Sequence, residues 1–155
     1  MHYFVSYSRR DNDSRSLLHV KELLLARGAN SVYVDDLETH ASGVDRVETL
    51  VDALSRAKVF CAIHSPGYLG TAWTSWEFNF AVTNGAQIIS VSPDGSFIYP
   101  SSPDWPWLDI VDGETYKHSQ SGLRSIEKPT AALQHATEIA SRLTFLPDSR
   151  TGGLA

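Results

Sequence analysis

Lys58-Val59-Phe60-Cys61-Ala62-Ile63 is apolar at every position after its lysine. An unbroken apolar run of this length reads as a strand with both faces covered, as in the centre of a parallel sheet. Before it, residues 44–57 carry Val44, Val47, Val51 and Leu54 at helical spacing, with Leu50 beside them. Further upstream, Ser31-Val32-Tyr33-Val34 reads as a strand. Residues 14–27 read as a helix on Leu17, Val20 and Leu24, with Leu18 and Leu25 widening the stripe. Gly28 ends that helix as a C′ glycine. Tyr3-Phe4-Val5-Ser6-Tyr7 opens the chain as an aromatic and β-branched strand. After the central run, Ser65-Pro66-Gly67 breaks the chain and a helix spans 69–84, closed by Asn84-Gly85. Gln87-Ile88-Ile89-Ser90-Val91 is a fourth strand.

Beyond it the pattern weakens. Residues 93–107 hold four of the seven prolines and read as an irregular loop, with Leu108-Asp109-Ile110-Val111 as a short edge strand. A last helix spans 129–143, with Pro129 near its first turn and Ala132, Ala136, Ile139 and Leu143 facing inward. The expected division is one domain over 1–146 and a flexible tail over 147–155. Alternating strands and helices predict an α/β fold with right-handed crossovers. The expected form is a flavodoxin-like three-layer sandwich. Its mostly parallel sheet has about five strands in the order 2-1-3-4-5. The ligand crevice of such a sheet lies at the carboxyl ends of its strands, where the order reverses. Three segments end there: 8–13, 35–43 and 64–77.

Composition narrows the chemistry. The 155 residues are 42% hydrophobic and 20% charged, with a formal charge of −5. That balance argues against nucleic acid as a partner. One cysteine, Cys61, excludes an internal disulfide. No apolar run is long enough to span a membrane, and residues 1–5 do not read as a signal peptide, so the expected location is cytoplasmic. The six histidines are scattered without metal-ligand spacing, so no metal site is expected. Neither GxGxxG, GxxxxGK[ST] nor GxSxG occurs.

The most unusual stretch is Thr71-Ala72-Trp73-Thr74-Ser75-Trp76-Glu77-Phe78-Asn79-Phe80. Trp73 and Glu77 are four apart and share a helix face in the first half of a helix that starts at the crevice. Two readings stand. In one, a partly desolvated carboxylate beside an indole contacts a ligand. In the other, the aromatics are core and Glu77 is a surface acid favoured by the helix dipole. A lone carboxylate suffices to cleave an N-glycosidic bond to a cationic base, because the base departs neutral. Only the positive charge left on the ribose needs stabilising. Arg9 and Arg10 sit at the same rim, either to pair with phosphates or as solvated charges paired with Asp11 and Asp13.

The order of these pieces resembles the Toll/interleukin-1 receptor (TIR) domain family, strongest over residues 3–80. Phe4-Val5-Ser6-Tyr7-Ser8 with Arg and Asp after it is similar to the family's first box. Val32-Tyr33-Val34-Asp35 leading to Gly43 is similar to its second strand and following loop. Ser65-Pro66-Gly67-Tyr68-Leu69 leading to Trp73-x-x-x-Glu77 is similar to its Ser-to-Trp-x-x-x-Glu segment. Phe78 stands where the family often has Leu, and Trp105-Pro106-Trp107 departs from its usual pattern.

The resemblance implies that Glu77 is catalytic for cleaving the nicotinamide–ribose bond of NAD⁺. NAD⁺ is then the substrate and no cofactor is needed. It also implies that Trp73 lies beside the substrate, with Ser6, Ser8, Arg9, Arg10 and Asp36 around the nucleotide. The implied activity is an NAD⁺ nucleosidase or ADP-ribosyl cyclase, with self-association through TIR surfaces. Similarity to bacterial stand-alone TIR proteins implies a nucleotide messenger for a separate effector in antiphage defence. The alternatives are an interaction module that docks through 35–43 without turnover, and a nucleoside deoxyribosyltransferase-like enzyme, which has a related fold and also uses a glutamate.

Overall fold

The computed structural model describes residues 1–68, 71–92, 94, 97–98 and 130–154. Its elements are β1 (His2–Ser6), α1 (Ser14–Ala26), β2 (Ser31–Tyr33), α2 (Arg46–Arg56), β3 (Val59–Ile63), α3 (Ala72–Thr83), β4 (Gln87–Val91), β5 (Phe97–Ile98) and α4 (Ala131–Leu154). The sheet order is β2-β1-β3-β4-β5, the order expected from the sequence. The first four strands are parallel and β5 adds antiparallel to β4. The fifth position is filled from the stretch expected to be irregular loop, because two paired residues leave no periodicity to read. The edge strand expected at 108–111 lies outside the described residues.

β3 is buried at all five positions, and its side chains alternate between two cores. Phe60 and Ala62 join Phe4 under α2, α3 and α4. Val59, Cys61 and Ile63 join Val5 under α1, against Leu17, Val20 and Leu24. The result is the three-layer arrangement. Phe60 anchors the first core, stacked on Phe4 at 5.9 Å and edge-on to Phe78 at 5.9 Å. Burial pushes the Cys61 thiol up to about 12, consistent with an inert core residue. No helix among the described residues is long and apolar enough to cross a membrane.

Caps set helix boundaries that apolar spacing misplaces. Asp45 accepts from the N–H groups of Val47 and Glu48, so α2 begins at Arg46. Val44 therefore stands outside the helix and is exposed rather than on its inner face. Thr71 accepts from the Thr74 N–H at 3.1 Å, so α3 begins at Ala72 and not at 69. Gly28 does end α1, at φ +104°, a conformation that L residues rarely adopt. Leu18 and Leu25 are exposed instead of widening the buried stripe, because α1 meets the sheet along one narrow face. In α4 the Thr130 hydroxyl accepts from the Leu133 N–H, and the buried set is Leu133, Ala136, Ile139 and Ala140. Ala132 is turned part-way out of that face. The α4 backbone continues to Leu154, past the start of the tail expected over 147–155.

Candidate functional site

The sheet order reverses between β1 and β3. There the loops after β1 and β2 meet the start of α3 around a cleft of about 340 Å³. Phe4, Val5, Val47 and Leu50 form its apolar floor; Tyr7, Arg9, Asp35, Arg46, Thr71, Trp73 and Glu77 supply its polar and aromatic walls.

Glu77 is buried, whereas Trp73, Trp76 and Phe80 are only partly so. The surface-acid reading of Glu77 therefore fails. α3 turns its carboxylate inward and runs three of its four aromatics along the flank, Trp73 edge-on to Trp76 at 6.1 Å and Trp76 stacked on Phe80 at 5.5 Å. The helix can do this because Thr74, Ser75, Phe78 and Ala81 share its buried side. Burial raises the Glu77 carboxyl to about 8. The Ser6 hydroxyl, donating to Oε1 at 2.7 Å, and nearby Arg9 oppose that rise, while Asp35 adds to it.

The 3₁₀ turns Arg9–Asp11 and Asp35–Leu37 form the rim. Arg9 forks onto Asp36, with Nε at 2.9 Å from Oδ2 and Nη2 at 2.9 Å from Oδ1. Asp36 also places its backbone N–H on the Tyr7 hydroxyl at 2.9 Å. Asp35 collects the Tyr33 hydroxyl at 2.7 Å and the Arg46 guanidinium at 3.1 Å. Both cleft-lining arginines are thus paired with carboxylates of the loop after β2, and not with Asp11 or Asp13.

A second brace lies behind the rim. Asp11 accepts from Ser65 Oγ and from the Gly67 N–H, both at 2.7 Å, and these bonds hold its carboxyl below the usual range. A Cβ on Gly67 would stand 2.6 Å from Asp11 Oδ2 and 3.0 Å from Ser8 Oγ. The carboxylate cannot step aside without breaking the two bonds that tie it. Gly67→Ala is expected to destabilise the protein by roughly 1–3 kcal/mol, the usual cost of overpacking, read as a lower urea midpoint at unchanged m-value.

The cleft brings together Glu77, Trp73 and Arg9 among the residues singled out in the sequence. Ser6 sits behind Glu77 and Asp36 behind Arg9. Ser8 is buried under Gly67 and Arg10 is exposed; neither lines the cleft. Sequence reading brought the segments holding Tyr7, Tyr68 and Thr71 to the crevice without giving these residues a role, and it missed Arg46. Arg46 carries no local signal, since its partner Asp35 lies eleven positions upstream. Tyr68 carries no local signal either, since its partner Ser6 lies 62 positions upstream. Among the described residues no His, Cys, Asp and Glu group of three is placed to hold a metal.

The doubly wound sheet thus carries, at the point where its strand order reverses, a cleft with a buried carboxylate in its wall. The family model described as TIR domain matches residues 4–124, and the chain belongs to that family. A solved structure of the activated Roq1 resistosome directly recognizing the pathogen effector XopQ (TIR domains) is similar in fold. It shares 15% identity at a TM-score of 0.50, over 91% of this chain and 81% of that one. Among curated proteins none matches.

Proposed function

We propose that this TIR domain cleaves the nicotinamide–ribose bond of NAD⁺, with Glu77 as the catalytic residue. The observation that carries this reading is a buried carboxylate opening on a cleft beside an indole and two arginines. Nicotinamide leaves with the bonding electron pair and becomes neutral, so no acid need protonate it. The ribose is left as an oxocarbenium-like cation, which an anionic carboxylate in a dry wall stabilises. Water adding to that carbon, with loss of a proton, yields ADP-ribose. A nucleophile of the same molecule yields a cyclic product.

Arg9 and Arg46 are the groups for the pyrophosphate. Arg9's side chain is 71% exposed, so its pair with Asp36 is screened by water and worth at most about 1 kcal/mol. A doubly charged ligand can displace it. The substrate is the cytoplasmic NAD⁺ pool, the active form self-associates, and the product serves as a messenger to a separate effector, as the family resemblance suggests for antiphage defence.

Concentrated protein incubated with NAD⁺ should release nicotinamide together with ADP-ribose or its cyclic form, separated by chromatography. Absence of release in concentrated and assembled samples alike overturns the reading.

The acid limb follows from burial. Only the ionised carboxylate is active, and its fraction grows with pH toward the free-site value near 8. kcat/KM, which reports the free enzyme, should climb about tenfold per unit below that value and then level. Bound NAD⁺ brings a cationic ring to the carboxylate and favours its ionised form, so the limb in kcat should lie at lower pH.

A further inference from the structure

Glu77 is held from behind by two hydroxyl groups in series. The Tyr68 hydroxyl donates to Ser6 Oγ at 2.6 Å, and Ser6 Oγ donates to Glu77 Oε1 at 2.7 Å. All three residues are buried, and they come from separate elements: β1, the turn after β3, and α3. A serine hydroxyl has one proton to give. Because Tyr68 occupies a Ser6 lone pair, that proton goes to Glu77, and Oε1 is committed as an acceptor. Among the described residues Oε2 has no hydrogen-bond partner, and Glu77 lines the cleft. Burial holds the Tyr68 phenol well above its ordinary range, so it remains a donor at every working pH.

We propose that Tyr68, acting through Ser6, is a positioning residue that turns Glu77 Oε2 toward the ligand and favours its ionised form. The other charged groups acting on Glu77 are Asp35 and Arg9 in the rim loops; Arg46 of α2 lines the same cleft, and Cys61 of β3 acts on Tyr68. None of them donates a hydrogen bond to the carboxylate. The relay is cooperative: the phenol polarises the serine, and the serine then donates more strongly.

The catalytic use of this geometry rests on the NAD⁺ reading above; the relay itself does not. The test is therefore a titration of Glu77 followed by its carboxyl infrared band, with Glu77→Gln as the blank that assigns the band. Ser6→Ala should raise the midpoint by about one pH unit. Tyr68→Phe, which removes only the phenol oxygen, should raise it by a smaller amount in the same direction. A Tyr68→Phe midpoint at or below the wild-type value overturns the proposal. Loss of packing alone lowers stability without moving the band in this direction.

Should Tyr68→Phe fail to fold, the chain prepared with 3-fluorotyrosine carries a stronger phenol donor. Its midpoint should fall, and an unchanged midpoint overturns the relay. With NAD⁺, Tyr68→Phe should lower kcat several-fold at little change in KM, with the acid limb moved up. A wild-type protein without turnover sinks the NAD⁺ reading and leaves the titration to decide the relay.

Discussion

Glu77→Gln should release nicotinamide about 10³-fold more slowly than the wild type, at a KM changed far less. The loss is of the size seen when one preorganised electrostatic group is removed from a dry site. Glutamine has the shape of glutamate, and its amide oxygen still accepts from the Ser6 hydroxyl. What it lacks is the negative charge. In the bound substrate the positive charge sits on the nicotinamide ring; as the bond breaks it moves onto the ribose. A carboxylate at the ribose therefore gains attraction along the reaction, and this differential lowers the barrier. Product chromatography of concentrated protein, variant beside wild type, checks it. A variant within tenfold of wild type removes Glu77 from the mechanism. A chain that acts only by docking shows no turnover in either protein, and its association is sensitive to residues 35–43 while indifferent to Glu77→Gln.

The same substitution should stabilise the fold, and by more as pH rises. The carboxyl shifts from its ordinary value near 4.5 to about 8 when folded. Between those values the unfolded chain has released its proton and the native one has not. The native state binds more protons there, so wild-type stability falls with increasing pH. The loss begins above the unfolded value and is complete above the folded one. At about 1.4 kcal/mol per pH unit it amounts to roughly 3–5 kcal/mol at pH 9. Glutamine has no such titration. Thermal unfolding should show Glu77→Gln melting on the order of 10 °C above wild type at pH 9, with the gap closing toward pH 4. A gap that is constant with pH would mean the carboxylate is not desolvated. Together the two results describe one trade: the group that makes the site reactive is the one the fold would be more stable without.

The parallel architecture was legible because its signal is local. Residues 59–63 are apolar without interruption, and only a strand covered on both sides asks for that. The same holds for the inner face of α1, and for the ends of α1 and α3 at Gly28 and Asn84-Gly85. Start positions were less legible. Val44 matches the helical spacing, yet the Asp45 carboxylate satisfies the first free N–H groups and places the helix start after it. Tertiary contact overrode the pattern at α3, where three of the five buried positions, Thr74, Ser75 and Glu77, are polar. Trp73, Trp76 and Phe80 look like a core stripe and are instead a half-buried flank, while Phe78 alone of the helix's aromatics is fully in the core.

The rim shows the same division. Arg9 and the Asp35-Asp36 pair stand out in the sequence as charges near a crevice, but not as partners of one another. Their sequence separation of 27 residues is closed by β1 lying beside β2 in parallel register, which brings both strand ends to one edge. Arg46 arrives from the far side, on the first turn of α2.

From the order of its residues alone this chain declares a parallel α/β sheet, its strand order, the crevice at the reversal, and a Trp and Glu on one helix face near it. The strands, helices and paired side chains follow from periodicity, which neighbouring residues encode; the strand order, and with it the reversal, was the form expected of an α/β chain of this length. Whether that glutamate is wet or dry, which hydroxyl holds it, and which carboxylates occupy the arginines depended on the packed molecule. Burial and hydrogen bonding are properties of groups far apart in the chain, and they come into being only when the layers close.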